Sequence, residues 1–142
     1  MRVFLDGNIL FLAATSPGGR ALALFRLAET GRFTLCASSH VIEEARRNVA
    51  TRSHDQIGEL ERLVGQIEHI AEAPAKLVVW AGEHDLAAND APVLASAVAA
   101  GADGLVTGDR SRFGHLFGQV LGGVTVAPTS EALKYFLNRA TK

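Results

Sequence analysis

A chain of 142 residues fits one domain, and folding at that size hides about 68–70% of the surface an unfolded chain exposes, enough for a self-sufficient core. Hydrophobic residues at 48% and charged residues at 20% exclude a disordered chain. A net charge of −1 excludes the global basic bias of many nucleic-acid binders, so any such contact must come from a local patch or through a metal.

In chain order, residues 2–6 read as a first strand. Arg2 and the apolar stretch up to Ala14 have the outline of a signal peptide, but Asp6 and Asn8 interrupt it. Helical spacing runs from Ala21 to Ala28, with Gly31 as its stop. Residues 33–37 read as a second strand carrying Cys36, a small buried hydrophobe. Ser38 and Ser39 are placed to cap a helix beginning near His40, with Val41, Ile42, Ala45 and Val49 on its apolar face. A further helix is predicted over about 55–71, where Ile57, Leu60, Leu63, Val64, Ile67 and Ile70 recur at steps of three and four. Leu77–Trp80 reads as a third strand, with Trp80 in the core. Residues 91–100 form an Ala-rich helix ended by Gly101, and Gly104–Thr107 a short buried strand. Val124–Val126 is a fifth strand, and Thr129 or Ser130 caps a last helix reaching about Leu137. Strands separated by helices predict one α/β domain over residues 1–142, a parallel sheet of about five strands with helices on both faces. A lone cysteine points to a reducing compartment, and no run reaches the 18 apolar residues of a membrane helix. The expectation is a cytoplasmic protein without membrane contact.

Ligands of open α/β sheets bind outside the carboxyl ends of the strands. Asp6 and Asp109 fall at that edge, Asp90 starts the Ala-rich helix, and Glu44 lies one turn into the helix after the second strand. Each has a plainer reading: Asp90 as a helix cap, Glu44 as a surface partner of Arg47 or Asn48, Asp109 as turn chemistry. Asp6 resists one, because an unpaired carboxylate in a half-buried position is costly. Together, converging carboxylates repel unless a cation sits among them, and Mg²⁺ or Mn²⁺ suits an all-oxygen set. Arg46, Arg47, Arg110 and Arg112 neighbour Glu44 or Asp109 and are candidate substrate-binding cations at the rim of the acidic edge. The five histidines are scattered, with no helical pair at zinc-ligand spacing.

Four motifs carry a resemblance: Val3-Phe4-Leu5-Asp6-Gly7-Asn8, Val41-Ile42-Glu43-Glu44-Ala45-Arg46-Arg47, Asn89-Asp90-Ala91-Pro92-Val93-Leu94-Ala95-Ser96-Ala97, and Gly101-Ala102-Asp103-Gly104-Leu105-Val106-Thr107-Gly108-Asp109. In order and spacing the chain resembles the PIN-domain family of VapC-like nucleases. The resemblance implies a three-layer α/β/α sandwich with a five-stranded parallel sheet and a Mg²⁺- or Mn²⁺-dependent endoribonuclease. It also implies relatives that act as toxins beside an antitoxin. Carried over by position, Asp6, Glu44, Asp90 and Asp109 are the catalytic, metal-holding acids, with Asn8 and Thr107 as polar support. Gly7 departs from the pattern, since many relatives have a small hydroxyl residue there. Glu43 is the rival to Glu44, and the spacing from Val41 favours Glu44. RNA, an antitoxin protein and a second copy of the chain are the partners to test for.

Other readings compete. A phosphatase of the haloacid dehalogenase type would need a nucleophilic Asp at the position of Phe4. A nucleotide-binding doubly wound domain would need a Gly-rich phosphate loop after the first strand, where Asp6-Gly7-Asn8 stands. A catalytically silent PIN-like module that binds RNA or protein would be marked by lost acids, and all four are present.

Overall fold

The computed structural model describes residues 1–140, so the last two residues of the expected domain lie outside it. The chain opens with β1 (Arg2–Leu5), followed at once by α1 (Gly7–Thr15) and α2 (Arg20–Ala28). Next come β2 (Thr34–Ser38), α3 (Ser39–Arg52), α4 (Ile57–Val64) and β3 (Glu68–Ile70). The second half runs α5 (Ala75–Gly82), α6 (Ala91–Ala99), β4 (Gly104–Val106), α7 (Arg110–Phe113), β5 (Val120–Leu121), β6 (Val124–Ala127) and α8 (Thr129–Ala140).

The sheet order is β3-β2-β1-β4-β6-β5, parallel throughout except for the antiparallel pair β5–β6. Phe4 stands level with Cys36 on one side and Leu105 on the other. β1 is thus the switch point, because the chain leaves it toward β2 and returns on its other side as β4. Helices flank the sheet: α1 packs on α2, α3 and α4, while α5 packs on α6, which lies against β2 and β4. Fully buried Phe4, Phe25, Phe113 and Phe136 anchor the core, each stabilising by about 1.5–3 kcal/mol.

Two expectations need correction. Leu77–Trp80 is not a strand but the heart of α5, which begins after Pro74. The helix expected over 55–71 is shorter, ending at Val64, and Glu68–Ile70 turn out to be an edge strand beside β2. The stretch after Asp6 is helix α1, with Ile9, Leu10, Ala13 and Ala14 buried. Besides β3, a second strand went unforeseen: β5, joined to β6 by Gly122 and Gly123, both at positive φ (56° and 84°), as a two-residue hairpin turn requires.

Candidate active site

Asp6 is the first residue past β1, its backbone N–H still donating to the Val106 carbonyl at 3.0 Å. Its side chain is 7% exposed. Oδ1 accepts from the Gly7 N–H at 2.7 Å and Oδ2 from the Thr107 hydroxyl at 2.8 Å. Burial pushes the pKa up to about 6. The two hydrogen bonds oppose that rise, and the charges of Glu44 and Asp90 add to it.

Thr107 ties two acids together. Its hydroxyl donates to Asp6 and accepts from the Asp109 N–H at 3.2 Å. Asn8 Oδ1 accepts from the Gly108 N–H at 3.4 Å, so the segments leaving β1 and β4 are held side by side.

Glu44 reaches from α3 onto the start of α1. A Cβ on Gly7 would stand 2.7 Å from Glu44 Oε1. The departure at Gly7 therefore has a steric meaning: the bare backbone leaves room for the Glu44 carboxylate. Glu43 turns outward and pairs with Arg46 at 2.6 Å, which favours Glu44 over its rival.

Asp90 heads α6 and is 5% exposed, yet its side chain makes no cap hydrogen bond. Burial raises its pKa; Arg112 and His40 oppose the rise and Asp109 adds to it. Asp109 caps α7, its Oδ1 accepting from the Ser111 hydroxyl at 2.8 Å and the Arg112 N–H at 3.1 Å. Burial pushes its pKa up, but these bonds and the Arg112 guanidinium outweigh that and hold it below the ordinary value. Arg112 meets both acids, with Nη1 3.5 Å from Asp90 Oδ1 and Nε 3.3 Å from Asp109 Oδ2.

The four acids form a row of neighbours along one edge, not a closed cage. Among the described residues no three His, Cys, Asp or Glu side chains stand close enough to hold an ion. Donor chemistry nevertheless fits a hard cation, since every candidate ligand is a carboxylate oxygen. Ser38, expected only as a helix cap, makes no cap bond. It is fully buried, and its Oγ is the side-chain polar atom found without a hydrogen-bond partner among the described residues. Ser38 ends β2 as Asp6 follows β1, two residues beyond the Phe4–Cys36 pair, so the orphan hydroxyl sits at the acid edge. A lone Ser between strand and helix carries no signal that separates this from a cap.

The expected RNA-binding cations differ in fate. Arg46 does not face the site as a free charge: its guanidinium donates to Glu61 at 2.8 and 2.9 Å and to Glu43 at 2.6 Å, which pins it to α4. Arg47 is exposed on α3. Arg110 is exposed beside Asp109, its guanidinium 5.6 Å from the centre of the Phe117 ring.

Fold and edge together define a parallel α/β sandwich with carboxylates at its switch point. The PIN domain family matches residues 2–111, and the chain belongs to that family. No curated protein matches it. Among solved structures, it is similar to VapBC2 from Rickettsia felis bound to a promoter DNA fragment: 20% identity, TM-score 0.67, over 90% of this chain and 98% of that one. PAE2754 from Pyrobaculum aerophilum is 19% identical, with TM-score 0.66 over 97% of this chain and 99% of its own. VapC20 from Mycobacterium tuberculosis, a sarcin-ricin loop cleaving toxin, is 19% identical, with TM-score 0.55 over 77% and 92%. At such identities the likeness is one of fold.

Proposed function

We propose that this chain is a metal-dependent endoribonuclease that hydrolyses RNA phosphodiester bonds and acts as the toxin of a toxin–antitoxin pair. The observation that carries the reading is the Thr107 hydroxyl, which links Asp6 to the backbone of Asp109 at the switch point. Glu44 and Asp90 lie close enough for their charges to raise the Asp6 pKa. Asp6, Glu44, Asp90 and Asp109 would hold Mg²⁺ or Mn²⁺, with Asn8 and Thr107 fixing the first and last acids. Burial is the main cause of the raised Asp6 and Asp90 pKa values, and neighbouring carboxylates add repulsion that a cation would relieve.

Such an ion supplies Lewis acidity toward the phosphoryl oxygen and a bound water of lowered pKa. The protein's part is orientation. Thr107 and the Gly7 N–H fix both oxygens of Asp6, and the α7 cap fixes Asp109. Arg110 and Arg47 offer positive charge for the RNA backbone, which an overall charge of −1 would otherwise repel. The antitoxin is inferred from the likeness to VapBC2 and to VapC20, a sarcin-ricin loop cleaving toxin. Among the described residues no helix is long and apolar enough to cross a membrane. The cytoplasm, where RNA and the free Cys36 thiol are both at home, is the proposed setting. A second copy of the chain is a further proposed partner.

The test is cleavage of end-labelled single-stranded and structured RNA with Mn²⁺, Mg²⁺ or EDTA, by wild type and Asp6→Asn. Internal cleavage that requires metal and disappears in Asp6→Asn supports the reading. Cleavage that persists in EDTA overturns it. The intrusion of Arg112 among the acids favours one rival, a module that binds RNA without cutting, and binding without cleavage in all three conditions would establish it.

A further inference from the structure

Arg112 stands where a cation is wanted. Asp90 and Asp109 each lie beside further carboxylates, and at neutral pH their charges repel across the edge. The Arg112 guanidinium meets both, through Nη1 to Asp90 Oδ1 and Nε to Asp109 Oδ2. Its backbone is fixed: the Arg112 N–H donates to the Asp109 cap, and neighbouring Phe113 is fully buried. Its side chain is not fixed, being 52% exposed while the Asp90 side chain beneath it is only 7% exposed. At 3.3–3.5 Å the pairs are long, and water re-solvates the half-exposed guanidinium as it leaves, whereas the buried Asp90 carboxylate then needs another cation.

We propose that Arg112 is a built-in competitor for the divalent ion. Its guanidinium neutralises Asp90 and Asp109 in the metal-free protein, and the ion gains Asp90 Oδ1 and Asp109 Oδ2 only as this side chain swings into solvent. The proposal rests on the metal-site reading above and adds a residue that sets how tightly the ion is held. Arg110, on the same short helix, serves as its control, since that guanidinium lies over the Phe117 ring and pairs with neither acid.

The experiment is Mn²⁺ titration of the intact protein by calorimetry, without RNA, for wild type, Arg112→Gln, Arg112→Lys and Arg110→Gln. Arg112→Gln should bind Mn²⁺ about five- to tenfold more tightly than wild type, the size of a modest coupling between sites. Arg112→Lys should fall between them, and Arg110→Gln should stay within about twofold of wild type. In EDTA, Arg112→Gln should melt below wild type, and saturating Mn²⁺ should narrow the gap. Unchanged or weaker Mn²⁺ binding by Arg112→Gln overturns the proposal. So does equal tightening in Arg110→Gln, which would show a general field effect. Failure of every variant to bind Mn²⁺ overturns the metal-site reading as well, whereas ordinary wild-type binding with an indifferent Arg112→Gln sinks only the competitor.

Discussion

Asp6 is pulled two ways: two hydrogen bonds favour its carboxylate, and burial beside Glu44 and Asp90 disfavours it more strongly. The folded pKa of about 6 lies above the ordinary 3.8, so between those values the folded chain keeps a proton the unfolded chain has released. Stability of the metal-free protein should therefore fall as pH rises from about 4 to about 6 and level off above, a loss of about 3 kcal/mol at most. Asp6→Asn should remove that slope. In EDTA it should match or exceed wild-type stability at pH 7.5, with the advantage gone near pH 4. Thermal melts across that range decide it, and a variant that melts lower at every pH would make the bonds to Gly7 and Thr107 primarily structural. At this scale the places of Asp6, Asp90 and Asp109 were legible, because each follows a strand or starts a helix, and Glu44 was read one turn into the helix after the second strand. The Ser38 orphan and the double pairing of Arg112 were not, since both depend on what the fold brings alongside.

The elements that were misread are those where pattern and burial part company. Leu77-Val78-Val79-Trp80 has the look of a buried strand, but a run of four apolar residues does not distinguish strand from helix. In α5 it packs on α6 while Val79 stays 67% exposed. Glu68-His69-Ile70 continues the helical period of α4, yet the chain turns at Gly65 and these residues pair with Cys36–Ser38 as a polar edge strand. β4 shows the opposite case, a strand read correctly whose tightest constraint was invisible. A Cβ on Gly104 would fall 1.9 Å from Cζ of fully buried Phe136. Gly104→Ala should push α8 off β4 and cost about 1–3 kcal/mol or more, read as a lower urea midpoint. An unchanged midpoint would mean that α8 is not seated on β4 as described.

Across the whole molecule, strands alternating with helices were enough to foresee the parallel sandwich, because parallel strands need crossovers and crossovers need helices. The antiparallel β5 escaped, being two residues long and signalled only by Gly122-Gly123. Global charge also constrains the proposed contact with RNA. At −1 overall, with Arg46 committed to Glu61, binding must rest on few cations. Arg110→Ala, made in metal-replete Asp90→Asn protein, should weaken single-stranded RNA binding to a similar degree for every sequence. It should also lower the slope of log affinity against log salt by about 0.7–1. Unchanged affinity and slope would retire Arg110 and leave Arg47 as the cation to examine.

The proposed activity depends on Asp6, Glu44, Asp90 and Asp109 acting on a divalent cation. The most direct measurement is a crystal structure of the Mn²⁺-soaked protein with anomalous scattering collected for manganese. The expected result is a peak at the carboxyl edge between β1 and β4, with oxygens of Asp6 and Asp109 at about 2.0–2.2 Å from it, judged by Mg²⁺ geometry, and Arg112 turned away. A peak elsewhere, or Asp6 and Asp109 carboxylates facing different pockets with Arg112 still paired to Asp90 and Asp109, would contradict it.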